Sequence, residues 1–169
     1  VRKAVERIAA AKRPVIVAGS GVRSSGGAEA LVRLAEQMQV PVATSLTAKD
    51  SILESNPLSV GVVGTYSRRS ANQVVSDADL VIFVGTRAGG MTTHFWTIPA
   101  EGTAAVQIDI DPSVTGRNYP TDVSVVGDAK ATLERMAELN TPVPASRGAW
   151  LDKVARIRKS YADDHTGDY

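Results

Sequence analysis

The 169-residue chain contains no cysteine. Its absence excludes disulfides, thiolate metal sites and a cysteine nucleophile, and leaves the compartment open. Histidine is nearly missing: His94 and His165 are the two in the chain. Neither stands at metal-ligand spacing, so both are expected at the surface. Charge of one sign is also lacking. The 19 Lys and Arg against 18 Asp and Glu are intermixed and leave a net charge of +1, which argues against nucleic-acid or membrane partners. No apolar run approaches the roughly 20 residues that span a bilayer. The N-terminus opens on a charged amphipathic helix instead of a signal peptide, so the expected location is cytoplasmic. No P-loop, no G-x-S-x-G and no catalytic carboxylate pair occurs. The chain opens without Met and inside a helix, as expected of a segment of a longer protein.

What is present is the composition of an ordinary globular domain, 43% hydrophobic and 22% charged, with length for one sizeable core. Periodicity predicts a helix over Val1–Lys12, with Val1, Ala4, Val5 and Ile8 on one stripe, closed by Pro14. Val15–Ala18 reads as a strand, Gly19-Ser20-Gly21 and Ser24–Gly27 as a turn, Ala28–Gln39 as a helix and Val42–Ser45 as a strand. A short helix over Ala48–Leu53, an apolar segment over Ser59–Gly64 and a helix over Ser67–Ala78 follow. Leu80–Val84 is the most strand-like run, and it empties into the Gly85–Gly90 loop. Ala105–Ile110 and Val123–Val126 complete the strands, and Asp128 stands at the N-cap of a helix to Leu139. Thr141–Ser146 reads as a linker, Gly148–Tyr161 as a helix striped by Trp150, Val154, Ile157 and Tyr161, and the end of the chain as a polar tail. This alternation predicts an α/β fold: a doubly wound, mainly parallel, six-stranded, three-layer Rossmann-like domain over residues 1–140. Residues 141–169 would be a linker and a helix leading into a further domain.

The candidate ligand contacts gather where strands end. Gly19 and Gly21 occupy the place of a dinucleotide fingerprint, but its third glycine is replaced by Ser24. The acid expected after the second strand is replaced by Thr44 and Ser45, so a standard NAD site is not expected. A tight turn explains these glycines as well as phosphate binding does. Arg87, after Gly85, suits a phosphate fork or an ion pair across the sheet edge. Gly61 and Gly64 suit close approach to a flat ligand, or a plain loop. Asp109 and Asp111 alternate with Ile108 and Ile110 and are expected to face one way, where a carboxylate can accept ribose hydroxyls. Asp111-Pro112 also reads as a helix cap, and Asp128 is ambiguous in the same way. Lys153, Arg156 and Lys159 read as a solvated helix face.

The segments Lys12–Gly21, Val40–Ser45, Ser76–Val81 running into Gly85-Thr86-Arg87, Gln107–Pro112 with Gly116-Arg117-Asn118, and Val126-Gly127-Asp128 follow one another in an order that resembles the central domain of thiamine-diphosphate-dependent enzymes. Among these, the acetolactate synthase large subunits are the nearest likeness. The resemblance covers about Val1–Leu139. It implies a parent enzyme of three α/β domains that makes or breaks C–C bonds beside a carbonyl of 2-oxo acids, as a transferase or lyase. Thiamine diphosphate and Mg²⁺ would be bound outside this segment, because Gly127-Asp128 continues with Ala129 and not with the family's Gly-Asp-Gly…Asn motif. The segment itself is expected to be catalytically inert.

In the synthase branch the central domain binds FAD largely for structural reasons, and other branches bind ADP or nothing. The matching positions are Gly19, Gly21, Thr44, Gly61, Gly64, Gly85, Arg87, Asp109, Ile110, Asp111, Gly127 and Asp128. The synthases resembled carry an acid and a second arginine where this chain has Gly89 and Met91, and an acid where it has Val114, so charged contacts to a flavin nucleotide are fewer. The implied partners are the N- and C-terminal domains of the parent chain and further copies of the parent in a homo-oligomer. The alternative reading is a stand-alone adenine-nucleotide or flavin module of the same fold.

Overall fold

The computed structural model describes residues 1–162, so the expectations for His165 and the tail beyond Ala162 lie outside the described residues. Six strands, β1 (Pro14–Ala18), β2 (Val42–Thr44), β3 (Ser59–Val62), β4 (Leu80–Val84), β5 (Ala104–Asp109) and β6 (Val123–Val126), form one sheet in the order β3-β2-β1-β4-β5-β6. Every pairing is parallel. The order reverses between β1 and β4, where open sheets of this kind leave a crevice.

The central strands β1, β2, β4 and β5 are buried on both faces, and residue alternation divides them between two cores. Ile16, Ala18, Ile82 and Ile108 face the helices α1 (Arg2–Ala10), α3 (Ala28–Met38) and α5 (Ala129–Glu138). Val15, Val17, Val81 and Phe83 face α4 (Arg69–Asp77) and α6 (Arg147–Ala162). Apolar spacing of three and four makes these helices. In α3 it aligns Ala30, Leu31, Leu34, Ala35 and Met38, all buried. Gln39 then turns left-handed at φ 55°, and the Val40 N–H returns to the Ala35 carbonyl at 2.9 Å, closing the helix. Asp128 Oδ1 accepts the Ala131 N–H at 2.9 Å, so the expected cap on α5 is present.

Three local expectations are corrected. Val1 lies outside the buried stripe and is 40% exposed, because α1 begins only at Arg2. The Gly19–Gly27 stretch is not a plain turn: Ser20–Ser24 forms a helical turn, α2. The short helix expected at Ala48–Leu53 is a 3₁₀ segment two residues earlier, Leu46–Ser51. Among the described residues no helix is long and apolar enough to cross a membrane.

The helix after the linker is joined to this body. Trp150 and Val154 enter the second core, and the Trp150 indole N–H donates to the Pro14 carbonyl at 2.9 Å. Lys153 is not merely solvated, since it pairs with Asp77 at 3.0 Å. Arg147, the first residue of α6, is 1% exposed. Its Nη2 donates to Ile8 O at 3.0 Å and Ala11 O at 3.1 Å, and its Nη1 to Met38 O at 2.6 Å. Those carbonyls are the orphan acceptors at the C-terminal ends of α1 and α3, where the helix dipoles also favour a cation. Burial lowers the guanidinium's pKa, opposed by the charge of Asp79. A planar fork serves two helix ends at once, which an ammonium cannot do. Arg147→Met is therefore expected to lower the unfolding free energy by about 2–4 kcal/mol, and Arg147→Lys by a comparable amount. Urea denaturation reads both, and an unchanged midpoint for Arg147→Met would contradict the clamp.

Candidate functional site

The crevice at the strand-order reversal is a cleft of about 700 Å³, within the range of small-molecule sites. Its walls come from the chain that leaves β1, β2, β4 and β5 at their carboxyl ends, together with the start of α5. A larger cavity of about 830 Å³ lies elsewhere, between β3, α4 and α6. It is basic, but Arg68 there is held by Glu54 at 2.6 Å, and Arg158 is spent on the Pro57 and Glu54 carbonyls. The switch-point cleft offers uncommitted groups, and chemistry is better placed there.

The floor of the cleft is a contact between two turns. Gly19 N–H donates to Val84 O at 2.8 Å and Gly21 N–H to Gly85 O at 2.9 Å. A Cβ on Gly21 would stand 2.7 Å from Gly85 Cα, and one on Gly19 would stand 2.4 Å from Gly85 O. These glycines therefore let β1 and β4 hand over their chains at van der Waals distance. Their amides are consumed by the protein and are not free to cradle a phosphate. Gly19 itself does not line the cleft, whereas Gly21 and Gly85 do.

The polar groups that remain free line the walls. Asp109, nearly buried at the end of β5, uses Oδ1 to accept the Asp111 N–H at 3.0 Å, and Oδ2 has no protein donor among the described residues. Across the cleft the Ser20 and Ser24 hydroxyls line the wall without a protein partner among the described residues. Ser45 and Thr47 add a second hydroxyl pair, 3.1 Å apart. Arg87 is exposed at the rim and forms no ion pair among the described residues, so the cross-edge pairing expected as one reading is not made. The arrangement offers a carboxylate for hydroxyls, a cation for an anion and several hydroxyl donors. Among the described residues no three His, Cys, Asp or Glu side chains converge as a metal site.

The predicted residues divide. Gly21, Gly85, Arg87, Asp109, Ile110 and Asp128 come together on the cleft. Thr44 is buried beneath it, and Gly127, whose N–H donates to the Asp109 carbonyl at 2.9 Å, supports it from behind. Gly61 lines the other cavity, packed on Arg68. Gly64 turns at φ 111° beside the Met91 carbonyl. Asp111 does not join Asp109 on the cleft: β5 stops pairing at Asp109, and the period-two expectation has no strand beyond it. Nor does Asp111 cap a helix: its Oδ1 accepts the Ser113 N–H at 2.9 Å and closes a turn. The Ser113 hydroxyl and amide hold its carboxyl below the ordinary range, with Arg87 and Arg117 adding to the effect.

Sequence reasoning missed the hydroxyls of Ser20, Ser24 and Thr47 and the Gly90 and Thr92 parts of the wall, while the resemblance had pointed to Gly89 and Met91 as positions beside a ligand. Beyond that wall, His94, Phe95 and Trp96 are consecutive left-handed residues at φ 48°, 53° and 60°, a conformation costing roughly 1–2 kcal/mol per residue. No turn signal marks them.

Two measurements follow from this geometry. Gly64→Ala would add a Cβ 1.9 Å from Met91 O at a positive φ and is expected to cost more than about 2 kcal/mol. Gly89→Ala, with open space at its Cβ, should leave thermal stability unchanged. Because its folded pKa is depressed, Asp111 supports its turn above the unfolded pKa and releases it as pH falls through the lower folded value. Carboxyl-carbon NMR should place its midpoint below that of a free aspartate, and Ser113→Ala should raise it. A midpoint indifferent to that substitution would contradict the contribution of the Ser113 hydroxyl.

A family model described as "Thiamine pyrophosphate enzyme, central domain" matches residues 1–136. The chain is 37% identical to the probable acetolactate synthase large subunit of Methanocaldococcus jannaschii, covering 94% of this chain and 27% of that protein. It is 40% identical to the protein of the same name from Methanococcus aeolicus, over 95% of this chain and 28% of that one. It is 39% identical to a 3D-(3,5/4)-trihydroxycyclohexane-1,2-dione hydrolase of Geobacillus thermodenitrificans, over 93% of this chain and 25% of that one. The chain thus spans about a quarter of the length of these relatives. Similar identities accompany different named activities, so this domain alone does not fix a reaction. With its sheet order and its match over most of its length, the chain belongs to the thiamine pyrophosphate enzyme central-domain family.

Proposed function

We propose that this chain is the non-catalytic central domain of a thiamine-diphosphate-dependent carboligase or decarboxylase acting on 2-oxo acids, and that its cleft holds the adenine-nucleotide part of FAD or ADP. The location would be cytoplasmic, the flanking partners the N- and C-terminal domains of the parent chain, and the parent a homo-oligomer. Residues 141–169 would connect this domain to the C-terminal one. Supporting the parent activity are the relatives named as acetolactate synthases. When bound in the parent, thiamine diphosphate supplies a carbanion that adds to carbonyl carbon. This domain's residues do not suit that cofactor. No cluster of three metal-ligating side chains occurs among the described residues, and Gly127-Asp128 continues with Ala129 instead of the Gly-Asp-Gly…Asn motif.

The observation that carries the nucleotide reading is the free Oδ2 of Asp109 at the floor of a hydroxyl-lined cleft with Arg87 at its mouth. The carboxylate would accept ribose hydroxyls, and Arg87 with Ser20 and Ser24 would meet phosphate oxygens. The Gly19 and Gly21 amides are already bonded, so the phosphate contact proposed here is to Arg87 and the hydroxyls, and affinity should fall as salt rises. FAD or ADP is expected to raise the melting temperature of the domain by several degrees, and Asp109→Ala should abolish that rise. Thiamine diphosphate with Mg²⁺ should leave the melting temperature unmoved. A wild-type domain indifferent to both nucleotides would remove the nucleotide reading, and tight Mg²⁺-dependent binding of thiamine diphosphate would remove the assignment of roles.

A further inference from the structure

The carboxyl edge of the sheet bears an apolar surface that nothing in the described chain covers. Phe95 and Trp96 are 62% and 57% exposed, and Met91 and Tyr66 are 52% and 69% exposed. They form one patch because the loops that carry them are bonded together. Thr65 N–H donates to Met91 O at 2.9 Å, and Gly64 packs against the same carbonyl. Single exposed apolar side chains are ordinary, but a contiguous group with two aromatic rings on one turn is not. Both loops are also free of formal charge: residues 55–67 and 88–100 contain no Lys, Arg, Asp or Glu. The amino edge of the sheet is finished differently. There the Trp150 indole covers the end of β1, and Asp79 holds the amides of Lys12 and Arg13.

The aromatic turn is held in its left-handed form by named bonds. Trp96 N–H donates to Thr93 Oγ1 at 3.0 Å, Phe95 N–H to Gly90 O at 2.6 Å and Thr97 Oγ1 to His94 O at 2.6 Å. The rings rest against Gly90, where a Cβ would meet Trp96 at 3.3 Å and Phe95 at 3.5 Å. An unfavourable backbone is thus fixed so that two aromatic side chains stand outward at the cleft rim. Strain of this kind is kept where it serves a contact.

We infer that the Tyr66, Met91, Phe95 and Trp96 patch is the surface on which a flanking domain of the same polypeptide docks, roofing the neighbouring cleft. The partner must be apolar, since aromatic enrichment with depletion of charge marks the core of a protein interface. It is available in the same chain, because the family is a central domain and the relatives extend far beyond the matched quarter. Such a cover would place the cleft between domains, where small-molecule sites concentrate. The inference rests on the central-domain reading above.

Hydroxyl-radical footprinting of the full-length polypeptide, read by mass spectrometry, tests it with Trp150 as an internal buried reference, being 2% exposed. Trp96 is expected to oxidise no more than about threefold faster than Trp150, as for a side chain in an interface core, whether or not nucleotide has been stripped. A faster rate, or protection that vanishes with the nucleotide, overturns the inference. A benzophenone photo-cross-linker substituted for Phe95, in a mixture of light and heavy subunits, should give same-isotope cross-links to another domain. Mixed-isotope cross-links would assign the patch to a second copy and overturn it as well. The reading frame separates the two levels of failure. A frame without flanking domains removes the central-domain reading, while an exposed Trp96 within a multidomain chain removes only the docking surface.

Discussion

The contact between the turns after β1 and β4 constrains everything around the cleft. Two central strands of a parallel sheet deliver their chains to the same place, and only residues without Cβ atoms allow both turns to fit. Gly21 and Gly85 meet backbone to backbone, and the Gly19 and Gly21 amides are tied to the Val84 and Gly85 carbonyls. That contact takes the amides of these two glycines out of reach of a ligand. The ligand chemistry is left to side chains: the half-free carboxylate of Asp109, the uncommitted hydroxyls of Ser20 and Ser24, and Arg87 at the mouth. A domain that recognises its ligand in this way would rely more on charge and hydroxyls than on backbone geometry.

Arg147 performs the matching task at the other side of the fold. Two helices end with their last carbonyls close to each other, and one guanidinium from the start of α6 serves both. Among the described residues its guanidinium forms no ion pair, so the helix ends, with the charge of Asp79, provide the compensation. The consequence is positional. The linker after α5 returns the chain to α1 and α3, and Trp150 then seats α6 on the second core.

Much of this was legible in the residues. The unbroken apolar runs Val15–Ala18 and Leu80–Val84 identified strands buried on both faces, because a parallel sheet covered by helices needs apolar residues at every position. Asp128 announced its helix through local cap chemistry. Other features were hidden for physical reasons. Ser20–Ser24 is a single helical turn without apolar periodicity, so it read as loop. Arg147 looks like any charged helix residue, since its acceptors lie 108 to 139 positions away. Asp111 and Asp109 seemed paired because alternation was carried one step past the last ladder bond. Gly61 was grouped with the cleft because glycine spacing says that backbone approaches something, not what it approaches; here it is Arg68. The left-handed turn at His94–Trp96 is written in residues that ordinarily avoid it, and the Thr93 and Thr97 hydroxyls that fix it carry no turn signature.

The account makes this domain a holder of an adenine nucleotide inside a larger thiamine-diphosphate enzyme, with the reacting cofactor bound elsewhere. That division of labour is tested most directly by backbone NMR of the isotope-labelled chain during titration with ADP, and separately with thiamine diphosphate and Mg²⁺. The account predicts that ADP shifts the amides around Ser20–Ser25, Thr86–Thr92 and Asp109–Asp111, while thiamine diphosphate shifts none of them. ADP perturbations confined to the β3–α6 cavity, or a response of the switch-point cleft to thiamine diphosphate instead, would contradict it.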